Sequence, residues 1–205
     1  VEEGQLYFLQ TRDGKRTPWA ALQTTVDLVA EGVVDMATGL RRIAALDLDA
    51  IARSSVAPLP GISPLATGVG AAPGVASGVV VLSADRVERV ARTSPVVLVR
   101  PEIATGDIAG LSHAAGMLST TGGRTSHGAV VARQLGRPCV VGCADLRVDE
   151  LARSCAIGGQ AVHEGDAITI DGDTGQVFPG VVPVIVERPD ALLRIVSQWR
   201  ATLAA

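Results

Sequence analysis

The chain has 205 residues and is 47% hydrophobic but only 2% aromatic, so Val, Ala, Leu and Ile must build its core. The formal net charge is −3, and of its 18 basic residues only Lys15 is a lysine, the arginines being scattered along the chain. That distribution argues against non-specific nucleic-acid binding, and no apolar run is long enough to span a bilayer.

The opening stretch "GQLYFLQTR" alternates like a short strand and ends in the turn-prone "DGKR". Such a strand has no neighbour to pair with nearby, and the chain does not start on Met, so it reads as an internal piece of a longer protein. Thr17-Pro18 is a helix start, with Thr as N-cap and Pro in the first helical position. Trp19, Leu22, Val26 and Val29 then share one face. Gly32 interrupts, and Asp35 caps a second helix that carries Met36, Leu40 and Ile43. Residues 51–67 hold three prolines, Gly61 and several hydroxyl residues, the composition of a linker. Fully stretched, that segment would reach roughly 55–60 Å.

From Gly68 onward, short apolar runs ("GVVVLS", "PVVLVR", "GMLST", "PCVVG", "AITID") alternate with helical stretches near 84–92, 104–114 and 126–136. This alternation predicts an α/β domain whose sheet is covered on at least one face. "DGDTG" (171–175) is a tight turn between two strands, hence a late hairpin. Residues 191–203 read as a final helix leaving the domain. Cys139, Cys143 and Cys155 form no CxxC pair, which predicts small buried thiols in a reducing cytoplasm and no metal site.

The stretch "TTGGRTSHGAVVARQLGRPCVVG" (120–142) carries the chemistry. With Ser126 at the N-cap, "HGAVVARQLG" forms a helix with Val130, Val131 and Leu135 facing inward, and Gly136 closes it. His127 then sits in the first turn. The helix dipole disfavours an imidazolium there, leaving a ring nitrogen lone pair as a nucleophile. The unpaired first-turn amides offer a seat for a phosphate oxygen. Gly122 and Gly123 permit close backbone approach, and Arg124 adds positive charge. Surface capping by His127 is an equally good reading from spacing alone. His113 and His163 read as surface or packed residues, and no histidine pair has metal-ligand spacing.

The motif "GGRTSHGAVVARQLGRPCVVGC" resembles the phosphohistidine motif of the phosphoenolpyruvate-utilising enzymes. "GVGAAPGVASGVVV" is similar to that family's opening strand, "VVLVRPEIATGDIAGLSHAAGMLST" to the segment before its histidine, and "EGDAITIDGDTGQVFPG" to its closing hairpin. The resemblance implies an α/β swivelling phosphohistidine (β/β/α) domain at 68–180. It places the C-terminal end of an ATP-grasp nucleotide-binding domain at 1–17, a helical linker and hinge at 18–67, and an exit linker helix at 181–205 toward a phosphoenolpyruvate/pyruvate-binding barrel. It also implies site roles. His127 is the phosphoryl carrier, with Gly122, Gly123, Arg124, Ser126 and Gly128 stabilising the phosphoryl group. Thr125 is the target of a regulatory kinase or phosphorylase, where phosphate charge beside the nucleophile would repel an incoming phosphoryl group. Gln10 and Arg12 match the rim of the nucleotide site. ATP and AMP are the implied substrate nucleotides, Mg2+ is held by the other domains, and the full enzyme is a homodimer in the cytoplasm. Carried by such partners, the reaction converts ATP, phosphate and pyruvate to AMP, diphosphate and phosphoenolpyruvate. A synthase branch of the family, which consumes water in place of phosphate, is the runner-up, and a non-catalytic swivelling module is a second alternative. Two departures stand out: Gly128 where the family has alanine, and "EIATGDI" in place of an acid-rich wording.

Overall fold

The computed structural model describes residues 16–58 and 60–204. In chain order these hold α1 (Pro18–Ala30), α2 (Met36–Ile43), β1 (Arg53–Val56), β2 (Ala66–Thr67), β3 (Val69–Ala72), β4 (Val75–Val81), α3 (Ala84–Ala91), β5 (Val96–Arg100), α4 (Ile108–Leu111), β6 (Gly116–Ser119), α5 (His127–Leu135) and β7 (Cys139–Val141). There follow β8 (Leu146–Asp149), β9 (Ser154–Ile157), β10 (Gln160–His163), β11 (Ala167–Asp171), β12 (Gln176–Pro179), β13 (Val184–Glu187) and α6 (Asp190–Ala204). The expected strand before Lys15, with Gln10 and Arg12, lies outside the described residues. The chain divides into two units, one formed by the segments before Arg53 and after Glu187, the other by Arg53–Glu187.

In the first unit the helix starts follow from their caps. The Thr17 hydroxyl accepts the Ala20 N–H at 3.2 Å, and the Asp35 carboxylate accepts the Thr38 N–H at 2.7 Å. The latter bond holds the Asp35 carboxyl below its ordinary pKa. Leu22, Val26, Ile43, Ile51, Val196 and Trp199 form the core of this unit. A Cβ on Gly39 would lie 2.8 Å from Val29 Cγ2 and 3.2 Å from the Trp199 ring, so the bare backbone there lets the helices close up. The terminal segment 191–203, expected to leave the domain as an exit helix, forms α6 outside the Arg53–Glu187 unit and packs with α1 and α2. Its Val196 and Trp199 are apolar enough that burial against those helices wins.

The second unit is built on an eight-stranded sheet in the order β2-β12-β11-β4-β5-β6-β7-β3. The central strands β4 to β7 run parallel, as apolar runs separated by helices require. Alternate side chains serve two cores. Val97, Val99, Leu118 and Val140 point to one that also contains Leu146, Cys155, Ile157 and Val162 of a small β10-β9-β8 sheet. Val96, Leu98, Met117 and Val141 point to the other, with Val87 of α3, Leu111 of α4 and Ala129 and Ala132 of α5. The result is a β/β/α sandwich of the expected α/β class, with no exposed face on its central strands.

Three expectations shift. The sequence places the swivelling domain at 68–180 with a linker at 51–67, but the unit runs over Arg53–Glu187. β1 pairs antiparallel with β13, from Arg53↔Glu187 to Val56↔Val184, and β2 joins the sheet beside β12. The prolines that suggested a linker fall between these strands. The helix expected over 104–114 is a 3-10 turn followed by the single turn α4. There the Asp107 carboxylate turns back to accept the Ala104 N–H at 2.9 Å, an alternative to helical pairing. Finally, α5 buries Gly128, Ala129, Val131 and Ala132, whereas Val130 and Leu135 are exposed. The smallest side chains face the sheet because they allow the closest approach.

Candidate functional site

The site forms where β6 ends at the C-terminal edge of the parallel strands. The chain leaves Ser119, crosses residues 120–126 and enters α5. That crossing is pinned at several points. Thr120 and Thr121 donate their N–H groups to the carbonyls of Arg100 (3.2 Å) and Pro101 (3.0 Å), and the Thr121 hydroxyl also donates to Pro101 (3.1 Å). On the other side the Gly142 and Cys143 N–H groups donate to the carbonyls of Thr121 and Ser119 at 3.3 and 3.0 Å. Gly122 turns the chain at φ 109°, a left-handed conformation that favours glycine. The Ser126 N–H closes a turn onto the Gly123 carbonyl at 2.9 Å.

α5 then begins with His127, as spacing predicts, and ends at Gly136 in the left-handed region at φ 63°. Ser126 has the extended backbone of an N-cap, but its hydroxyl makes no capping bond. It turns toward Gly122 instead: a Cβ placed there would sit 3.1 Å from Ser126 Oγ. The amides of the first turn have no intrahelical acceptor, a consequence of helix geometry. His127 is solvent-exposed and stands at a small cavity of about 20 Å³, room for about one water-sized group.

Of the residues singled out by sequence, Gly122, Ser126, His127 and Gly128 line this cavity together. Gly123 and Arg124 do not. The Arg124 Nε donates to the Gly70 carbonyl at 3.1 Å, which tethers the guanidinium to β3. Thr125 is exposed beside the site. His113 and His163 stand apart, the first beside the Ala109 carbonyl and the second 3.6 Å from Asp166. Among the described residues no cluster of three or more His, Cys, Asp or Glu could hold a metal.

Sequence reasoning missed three contributors. Glu102 and Ile103, from the segment after β5, line the cavity with His127. The unusual wording of "EIATGDI" was the only signal, and it did not say where the segment folds. Arg133 was also missed. It donates Nη1 to the Ala71 carbonyl and Nη2 to the Arg124 carbonyl, each at 2.7 Å, and so straps the 120–126 crossing to β3. A lone arginine in a helix's last turn looks like any surface charge.

The three cysteines are free and buried. Burial pushes the Cys139 thiol up to about 12 and Cys155 up to about 11, and raises Cys143 as well. None of them is a nucleophile for this site.

Residues 92–175 match the family model described as the mobile domain of PEP-utilising enzymes, and the chain carries that mobile domain. The relatives it resembles are more particular. It is 42% identical over 184 residues to a pyruvate, phosphate dikinase of Entamoeba histolytica, covering 90% of this chain and 21% of that one. It is 38% identical over 200 residues to the pyruvate, phosphate dikinase of Rhizobium meliloti (97% and 22%) and 42% identical over 183 residues to that of Clostridium symbiosum (88% and 21%). The chain therefore spans about a fifth of the length of these relatives. Among solved structures, an NMR solution structure of an Enzyme I protein aligns at 18% identity, covering 92% of this chain and 57% of that one, with a TM-score of 0.31, too low to bear on the fold. Among the described residues no helix is long and apolar enough to cross a membrane.

Proposed function

We propose that this chain is the phosphoryl-carrying part of a pyruvate, phosphate dikinase. His127 accepts a phosphoryl group at a nucleotide-binding domain and hands it to pyruvate at a barrel domain, both outside the described residues. The observation that carries this reading is the placement of His127: exposed, in the first turn of α5, at the mouth of a cavity whose rim is glycine backbone and the uncapping Ser126 hydroxyl. An exposed ring nitrogen attacks phosphorus: its lone pair forms a P–N bond while the donor's P–O bond breaks. The leaving phosphate oxygen departs with the rest of the nucleotide, and the ring gives up its N–H proton. The first-turn amides and the Ser126 hydroxyl then donate to the phosphoryl oxygens.

In this reading Gly122 makes the turn, Gly123 leaves the approach open, Gly128 offers its first-turn amide, and Arg124 supports the crossing from β3. Thr125 is the regulatory phosphorylation position: exposed and two residues from the nucleophile, it would carry nearly two negative charges beside the incoming group. Gln10 and Arg12 contribute to the nucleotide site for ATP and AMP. Mg2+ is held by the other domains. The paired strands β1 and β13 are where the unit turns between its two stations. The complete enzyme is cytoplasmic and dimeric.

The test uses the complete protein with ATP and inorganic phosphate. Intact-mass analysis should find one added phosphate that is acid-labile, base-stable and lost in His127→Ala. Its absence in the wild type ends the carrier reading. Product analysis separates the dikinase from the synthase: the first consumes inorganic phosphate, the second water.

A further inference from the structure

The 101–104 segment and the first turn of α5 meet through a single interlock. Ile103 is 5% exposed, and it lies directly over Gly128. A Cβ built on Gly128 would come 2.6 Å from Ile103 Cβ, 2.9 Å from Cγ2 and 3.1 Å from Cδ1. The first of these atoms is fixed to the backbone, so no rotamer change at Ile103 can relieve the contact. Nor is the segment free to retreat. The Pro101 carbonyl is held by both the N–H and the hydroxyl of Thr121, and Ala104 is held by the Asp107 carboxylate. Asp107 is in turn 3.6 Å from Arg100 Nε. Gly128 follows His127 directly, and Ile103 shares its cavity. Any change in this seat therefore tilts the helix turn that carries the ring or displaces the wall beside it.

We propose that Ile103, seated on the bare Cα of Gly128, is a positioning residue that sets the presentation of the His127 ring for phosphoryl transfer. The proposal rests on the reading of His127 as phosphoryl acceptor and names what aims it. The two departures from the family pattern, at Gly128 and in "EIATGDI", are on this view one feature, a gap and the knob that fills it.

The test needs no partner domain. Phosphoramidate is a small phosphoryl donor: a ring nitrogen lone pair forms a new P–N bond, the donor's own P–N bond breaks, and ammonia leaves and takes up the proton released by the ring. Labelling of each histidine in the 205-residue chain is followed by peptide mass analysis. The exposed His113 and His163 serve as internal references. Gly128→Ala should slow labelling of His127 about tenfold relative to both references, the scale of a misaimed reacting group. Adding Ile103→Gly to that variant removes all three clashing atoms and should recover most of the loss. Ile103→Ala alone should slow His127 severalfold, whereas Ile103→Val, which keeps Cβ and Cγ2, should label as the wild type does. If Gly128→Ala does not fold, as judged by circular dichroism, the two Ile103 single variants decide. Wild-type labelling of His127 in Gly128→Ala or in Ile103→Ala overturns the proposal, as does a double variant that stays slow. This pattern with phosphoramidate, combined with no labelling by ATP in the complete protein, would sink the carrier reading and leave the seat standing.

Discussion

Arg133→Met removes both bonds of the strap between α5, β3 and the 120–126 crossing while keeping most of the aliphatic stem. The Ala71 residue is 7% exposed, so its carbonyl loses a charged donor in a place water reaches poorly. That loss is worth about 2 kcal/mol, and the bond to the exposed Arg124 carbonyl adds less than about 1 kcal/mol because water replaces it. The total of about 2–3 kcal/mol corresponds, for a chain of this size, to a fall in melting temperature of roughly 4–12 °C. The effect should also be local. Amide hydrogen exchange at residues 122–129 should accelerate more than exchange in β5 and β6, because the crossing is released before the sheet opens. Phosphorylation of His127 in the complete protein should slow in parallel. A melting temperature within about 1 °C of wild type, with unchanged exchange over 122–129, would refute the strap.

Other outcomes follow from single contacts. Gly136→Ala forces a side chain into the left-handed region at φ 63° and should cost about 1 kcal/mol in thermal unfolding although open space surrounds it. Glu164 is nearly buried, with one oxygen accepting the Leu82 N–H and the other paired with Arg86. Glu164→Gln should destabilise the second unit by about 2 kcal/mol, measured by urea unfolding, because Arg86 loses its counter-charge. The thiols should resist iodoacetamide at pH 8 until denaturant is added, and mass analysis would then count three modified cysteines. Because burial raises the folded-state pKa values of Cys139 and Cys155, their neutral forms favour the folded state fully below about pH 9. That contribution should fade between the unfolded value of 9.0 and the folded values of about 11 and 12, so alkaline unfolding should shift to higher pH in Cys139→Ala. Asp35→Ala should weaken α2 at neutral pH and make no difference below the lowered pKa of Asp35, a comparison that far-ultraviolet circular dichroism can make.

Local pattern was legible where local forces decide. Val96 to Val99 are consecutive valines and leucine with both faces buried, and a run of that length between turn signals can only be an interior strand. Gly136 marked the end of α5 because few other residues accept its backbone. The phase of α5 was not legible. Periodicity chose Val130 and Leu135 for the core, yet close packing onto the sheet selects Gly128, Ala129 and Ala132. The pairing of β1 with β13 was hidden for a different reason: its partners are some 130 residues apart, and neither stretch alternates strongly enough to announce a strand. The cavity's far wall suffered the same way, since Ile103 and Gly128 meet only after β5 and β6 have been set side by side.

The β1–β13 ribbon has a mechanical consequence. Its register places Arg53 opposite Glu187, clasped by an ion pair at 2.8 Å, so both ends of the second unit emerge from adjacent points and in the same direction. A pull applied through those ends peels the ribbon open one rung at a time, from the clasp toward Val56 and Val184, and never loads all its hydrogen bonds at once. The register thus makes the ribbon an unzipping geometry, whose first rung to part under such a pull is the Arg53–Glu187 clasp.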